Sequence, residues 1–173
     1  MNKKINTQKI AYAALFVAVS AVLNCLSAQT TALSLSLTYI PSIIAGIYMG
    51  PFVGFLVGAL GDGVGCLLFP HGAWLPLLTL ASGLTGVMPW IAKRIFGKNL
   101  AAMIAAAYLL TLVVCTLGIN TTTLWYTFFR SKKTLWVYMG GRIMSQGLVL
   151  LLNAALTFVL VPFCDKYLKK LGL

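Results

Sequence analysis

Six long apolar runs, parted by short polar, glycine or proline breaks, take up most of this 173-residue chain. They read as Ile10 to Leu26, Leu35 to Met49, Phe52 to Phe69, Trp74 to Ala92, Leu100 to Ile119 and Gly140 to Phe163. A helix that crosses a bilayer needs about 20 apolar residues. Six such helices leave room for little else. Only 9% of the residues are charged and 60% are hydrophobic, whereas a soluble domain carries about 25% charged residues. Polar groups are too few to cover a water-facing surface, so lipid is the solvent for most of the chain. The fold class expected is all-α: one domain, residues 1–173, an integral membrane bundle of six transmembrane helices in the cell membrane, with no soluble catalytic module.

The breaks have physical causes. A polar patch, Ser27 to Thr31, ends the first run, and Gly50-Pro51 separates the second from the third. Proline cannot donate to the preceding turn and disfavours helical geometry in the residue before it. Pro70-His71-Gly72 turns the chain again, and Lys93-Arg94 closes the fourth run. The lone histidine, His71, reads as a turn residue. The second and third runs are short, which suggests unusual tilt or partial re-entry. Lys3, Lys4 and Lys9 ahead of an apolar stretch also resemble a signal peptide. The length of the run and the spans that follow favour a retained first helix.

Thirteen Lys and Arg stand against two acids, for a net charge of +11. The basic residues flank apolar runs, the pattern that orients a membrane protein rather than one that binds nucleic acid. With an even number of spans, Lys3, Lys4, Lys9, Lys93, Arg94, Lys98, Lys166, Lys169 and Lys170 share one side; Arg130, Lys132, Lys133 and Arg142 fall on the other. That asymmetry predicts cytoplasmic amino and carboxyl termini. Cys25, Cys66, Cys115 and Cys164 lack metal-ligand spacing, and no metal or cofactor is expected. The thin supply of acids and the single histidine argue against acid–base catalysis. No G-x-x-x-x-G-K-[ST] loop is present, so any ATP-driven step belongs to another chain.

Two charges break the pattern. Arg142 falls just inside the last run, where an idle charge costs about 2.5–3.5 kcal/mol at the helix centre. Asp62 lies within Gly61-Asp62-Gly63 in the outer half of the third run. A carboxylate there is a functional candidate, or else a helix-to-helix hydrogen bond or a salt bridge to Arg142. Gln146 shares the Arg142 face, one turn on, and Asn153 follows seven residues later. The outer segment Asn120 to Gly141 mixes Trp125, Tyr126, Arg130, Trp136 and Tyr138, either an interfacial belt or a capture site for a flat anion. Small residues recur as Ala11, Ala14, Ala18, Ala21 and as Gly54, Gly58, Gly61, Gly65. In lipid such stripes mark close helix packing. The glycines are expected inside the bundle, and the alanines either inside it or against another membrane subunit.

These features resemble the substrate-binding (S) components of energy-coupling factor vitamin importers over nearly the whole chain. The resemblance is carried by Ala14-x-x-x-Ala18, Gly50-Pro51-x-x-Gly54-x-x-x-Gly58, Gly61-Asp62-x-x-Gly65 and Phe69-Pro70. Asn120-Thr121, Leu124-Trp125 and Arg142-x-x-x-Gln146 are most similar to the folate-specific members; Thr122-Thr123 and Arg130 to Lys133 depart from that pattern. The resemblance implies extracellular capture of a vitamin beneath the loops after the first and fifth spans. Toppling onto a shared coupling subunit with two ATPases would follow, with Ala14 and Ala18 as the docking face. Folate would set its anionic tail on Arg142 and Arg130, and its flat head among Asp62, Asn120, Gln146, Trp125 and Trp74. Pantothenate, riboflavin or a queuosine precursor are alternatives within the same architecture. A ligand-free structural membrane protein is the alternative outside it.

Overall fold

The computed structural model describes residues 7–28, 37–68, 74–97, 99–131 and 134–168. Every regular element among them is helical. Helix α1 spans Thr7–Ala28, α2 Tyr39–Met49, α3 Pro51–Leu68, α4 Pro76–Thr85 and α5 Met88–Phe96. Helix α6, Leu100–Leu110, runs without a break into a π-helical stretch Thr111–Thr121, the single turn α7 at Thr122–Leu124 and a second π-helical stretch Trp125–Phe129. The long helix α8, Leu135–Leu168, ends the described chain. Four helical rods are long and apolar enough to cross a membrane: Gln8–Cys25, Pro51–Leu68, Leu100–Phe129 and Leu135–Lys166. Two shorter apolar elements lie between these rods in the chain: α2, with 11 residues, and the broken pair α4 and α5.

The breaks follow from backbone chemistry. Gly50 has φ of 98°, a conformation that glycine adopts without steric cost, and it lets α2 reverse directly into Pro51. Prolines sit in the first turns of α3, α4 and α5, where the missing N–H would have had no helical partner anyway. The fourth run, expected as one helix from Trp74 to Ala92, is instead interrupted at Gly86-Val87. Pro89 removes a donor at that point, and the backbone there is needed for packing.

That packing is a three-helix glycine contact. A Cβ on Gly54 of α3 would lie 2.3 Å from the Gly86 carbonyl oxygen and 2.8 Å from Gly46 Cα, and a Cβ on Gly46 would meet the same oxygen at 2.1 Å. Helices α2, α3 and the α4–α5 junction therefore touch backbone to backbone. The rest of the glycine stripe divides its duties. Gly58 abuts the Ser82 carbonyl of α4, while Gly61 and Gly65 abut Ser20 and Asn24 of α1. All four are buried, as expected for small residues that let helices approach in lipid. Leu67, Phe52, Met144 and Leu151 point outward, where lipid receives them at no cost.

Polar side chains join the helices at both ends. At one end the Tyr48 hydroxyl donates to the Asp165 carboxylate at 2.6 Å, tying the end of α2 to the end of α8. Deeper in, Tyr108 of α6 and Thr157 of α8 share a buried hydrogen bond of 2.6 Å. Asn153 is fully buried and donates to the Val149 carbonyl at 2.8 Å, so the polar stripe on the last helix turns inward at that point.

The outer segment from Asn120 onward differs from the sequence expectation. It was expected to leave the membrane as a connecting stretch; it remains helical through Phe129 and resumes at Leu135. Threonines mark the rod where it widens. The Thr111, Thr121 and Thr127 hydroxyls donate to the carbonyls of Ala107, Thr116 and Thr123 at 2.8, 2.7 and 2.8 Å, and Thr122 does so to Gly118. Such back-bonding competes with the α-helical ladder and accompanies its widening to π geometry, which is common near functional sites.

Candidate ligand-binding site

The alternation of passes gathers the singled-out polar residues at the end of the bundle opposite Tyr48 and Asp165. Two clusters form there. The first is centred on Asp62, on the inward face of α3. One carboxylate oxygen accepts from Asn24 Nδ2 of α1 at 3.2 Å, and the other from the Thr79 hydroxyl of α4 at 2.8 Å. The Trp74 indole N–H in turn donates to Thr79 at 3.0 Å. Asp62 thus makes helix-to-helix bonds, one of the roles expected of it. Around it Ser20, Asn24, Thr38, Tyr39, Ser42, Ser82 and Thr85 line a niche of about 10 Å³, room for about one water molecule. The local logic is helical spacing: Ser20 and Asn24, Thr38 and Ser42, and Gly58 and Asp62 are each four apart, and so share a face.

The second cluster is built by the start of α8 and the π-helical rod. Arg142 is half-buried. Its Nη1 donates to the Tyr138 hydroxyl at 3.2 Å, while its Nε is buried without a partner. Asn120, near the end of the first π-helical stretch, likewise has a buried side-chain oxygen with no partner. Buried polar atoms are nearly always hydrogen-bonded, and an orphan calls for an explanation. Here a cationic donor on α8 and an amide acceptor on the π-helical rod are both left unsatisfied. Gln146 is half-buried one turn along from Arg142. Beside this cluster Trp125 helps wall an open groove of about 500 Å³ lined by Leu75, Pro76, Thr122, Thr123 and Leu135, within the size range of small-molecule sites.

Tyr39, in the first turn of α2, lines the niche around Asp62. It faces Thr116 of the π-helical rod and lies within electrostatic reach of both Arg142 and Asp62. Arg130 behaves differently. It is exposed, with its guanidinium 5.1 Å from the Tyr126 ring centroid, the arrangement of a cation resting on an interfacial ring. Trp74 is exposed at the mouth and held by Thr79. Lys132, Lys133 and His71 lie outside the described residues.

The alanine face of α1 is also resolved by burial. Ala11, Ala14 and Ala18 are exposed, and only Ala21 is buried. No group of three or more His, Cys, Asp or Glu that could hold a metal is formed among the described residues.

Sequence comparison gives this arrangement a context. Residues 8–161 match the family model described as "ECF transporter, substrate-specific component". The chain belongs to this family. As an ECF S component it is a multi-pass transport protein of the cell membrane and not an enzyme. It is also similar to the folate transporter FolT of Clostridium novyi (strain NT), with 26% identity over 157 residues, 90% of this chain and 88% of the relative.

Sequence reasoning placed Tyr138 only in the outer aromatic segment and did not single out Asn24, Thr79 and Tyr39, the neighbours of the candidate charges. Asn24 carried a signal, a carboxamide inside an apolar run. Thr79 and Tyr39 did not, because nothing local distinguishes them from other polar residues in a span.

Proposed function

We propose that this S component captures folate on the extracellular side and delivers it to an ATP-driven importer. The observation that carries the reading is the pair of unsatisfied buried groups, the Arg142 Nε–H and the Asn120 side-chain oxygen, at one end of the bundle. A ligand that satisfies both brings an anion and an N–H donor. Folate has each, with carboxylates on its tail and amino and ring N–H groups on its planar head. Arg142 takes a tail carboxylate, with Arg130 nearer the mouth for the second. The head stacks by Trp125 and Trp74 and meets Asn120, Gln146 and the remaining lone pairs of Asp62. The similarity to a folate transporter supports the same ligand. The positive-inside asymmetry supports cytoplasmic termini and an outward-facing site.

Titration of the detergent-purified protein with folate tests the substrate. Saturable one-to-one binding that quenches tryptophan fluorescence and raises the melting temperature is the expected result. A panel containing pantothenate, riboflavin and a queuosine precursor replaces the substrate if one of these shifts the protein and folate does not.

Delivery follows from the rest of the chain. Having no phosphate-binding loop, the chain relies on a membrane coupling subunit and two ATPase subunits. The exposed Ala11, Ala14 and Ala18 offer a smooth face on which a partner helix packs closely. After docking there, the subunit topples so that its loaded end reaches the cytoplasm. Ala14→Trp with Ala18→Trp is expected to leave the folate Kd within about twofold, since surface changes away from a site usually cost little. Uptake into cells that express the coupling and ATPase subunits should fall to background. Undiminished uptake by the double variant would remove this face from the mechanism.

A further inference from the structure

The reading of Arg142 as the carboxylate-binding group leaves open how a long, flexible side chain is held ready. The structure answers with two aromatic residues. Tyr138 sits one turn before Arg142 on α8, and its hydroxyl accepts from Arg142 Nη1 at 3.2 Å. The guanidinium carbon is 5.8 Å from the centroid of the same ring. On the other helix, Phe129 at the end of the second π-helical stretch stacks on Tyr138, with centroids 4.8 Å apart and an interplanar angle of 25°.

The three groups form a chain of constraint. Residues four apart on a helix are neighbours, so Tyr138 reaches Arg142 without distortion. Phe129 fixes the tyrosine ring from across the helix pair. The tyrosine engages Nη1 alone and leaves Nε buried and unpartnered. An arginine fork binds a carboxylate through two parallel N–H groups. With Nη1 engaged, the pair that remains on one edge is Nε and Nη2. We infer that Tyr138, braced by Phe129, is a positioning residue that presents the Nε and Nη2 edge of Arg142 to the ligand, so that a carboxylate is taken side-on. This inference rests on the proposed folate reading. Its benefit is preorganisation: the rotamer freedom of arginine is lost before the ligand arrives, and binding then costs less.

A double-mutant cycle in purified full-length protein tests it, with folate Kd as the readout. Tyr138→Phe keeps the ring and the stack on Phe129 and removes only the acceptor, so the fold should be retained. In the wild-type background it is expected to weaken folate by about tenfold, the effect of losing a hydrogen bond to a charged group. In an Arg142→Gln background the same change should cost less than about twofold, because a residue acting through a partner has no effect once the partner is gone. Phe129→Leu should follow the same pattern with a smaller effect. Equal weakening in both backgrounds would show a merely structural tyrosine and overturn the inference, as would an unchanged Kd for Tyr138→Phe in wild type. If the wild-type protein fails to bind folate, the substrate reading falls and the inference falls with it. Binding by wild type with no coupling between the two positions overturns the inference alone.

Discussion

Replacing Arg142 with alanine is expected to weaken folate binding by about a hundredfold or more. Truncating one member of a buried, hydrogen-bonded charge pair costs about 2–5 kcal/mol, and each 1.4 kcal/mol is tenfold in Kd. The sign of the stability change makes the experiment decisive. In the absence of ligand Arg142 pairs with no acid among the described residues; its one hydrogen bond goes to the neutral hydroxyl of Tyr138, and its Nε has no partner. A guanidinium without a counter-charge inside a membrane helix is a burden on the fold. The ligand-free variant should therefore melt no lower than wild type, while the rise in melting temperature with folate disappears. Arg142→Lys keeps the charge and loses the planar fork, and should fall between the two, weakened by roughly tenfold. A variant without the guanidinium that binds folate as wild type does would end the proposed role of this residue.

Gly54→Ala should strongly destabilise the fold itself. Its added Cβ would lie 2.3 Å from the Gly86 carbonyl oxygen and 2.8 Å from Gly46 Cα, both backbone atoms. No side chain can swing aside to make room, so α2, α3 and α4 must separate. Overpacking costs about 1–3 kcal/mol even where side chains yield, and a rigid backbone contact puts this site at the upper end of that range. For a chain of this size about 3 kcal/mol corresponds to a fall of about 10 °C in melting temperature. Gly63→Ala on the same helix is the control, because a Cβ there meets nothing within 4 Å. Alanine is the better helix former, so that variant should melt as wild type or slightly higher. Equal melting temperatures for the two alanine variants would refute the three-helix contact.

Part of the site was readable before any coordinates. Arg142, Gln146 and Asn153 follow helical spacing on one segment, and the same periodicity puts Ala14 and Ala18 on one face of α1, while only the packed bundle decided that this face is exposed. Tyr138 also lay within reach of that reasoning, four residues before Arg142, yet its value depended on Phe129 arriving from another helix to hold it. The roles of Asp62 illustrate the limit more sharply. Its partners are Asn24 and Thr79, which are 38 and 17 residues away. No local pattern selects these two from the other polar residues of the spans.

Local chemistry governs one set of properties. The length of each apolar run, the prolines and glycines between them and the cations at their ends set the membrane class, the succession of passes and the candidate charges, because each of these depends on residues close together in the chain. The other set depends on distances between helices: the glycine contact at Gly46, Gly54 and Gly86, the break between α4 and α5, the continuation of the fifth rod through its threonine-rich π-helical turns, and the orphaned Nε of Arg142. Those emerge only when rods packed in oil settle where small residues permit, since lipid offers no hydrophobic push between helices and leaves the fit of surfaces to decide.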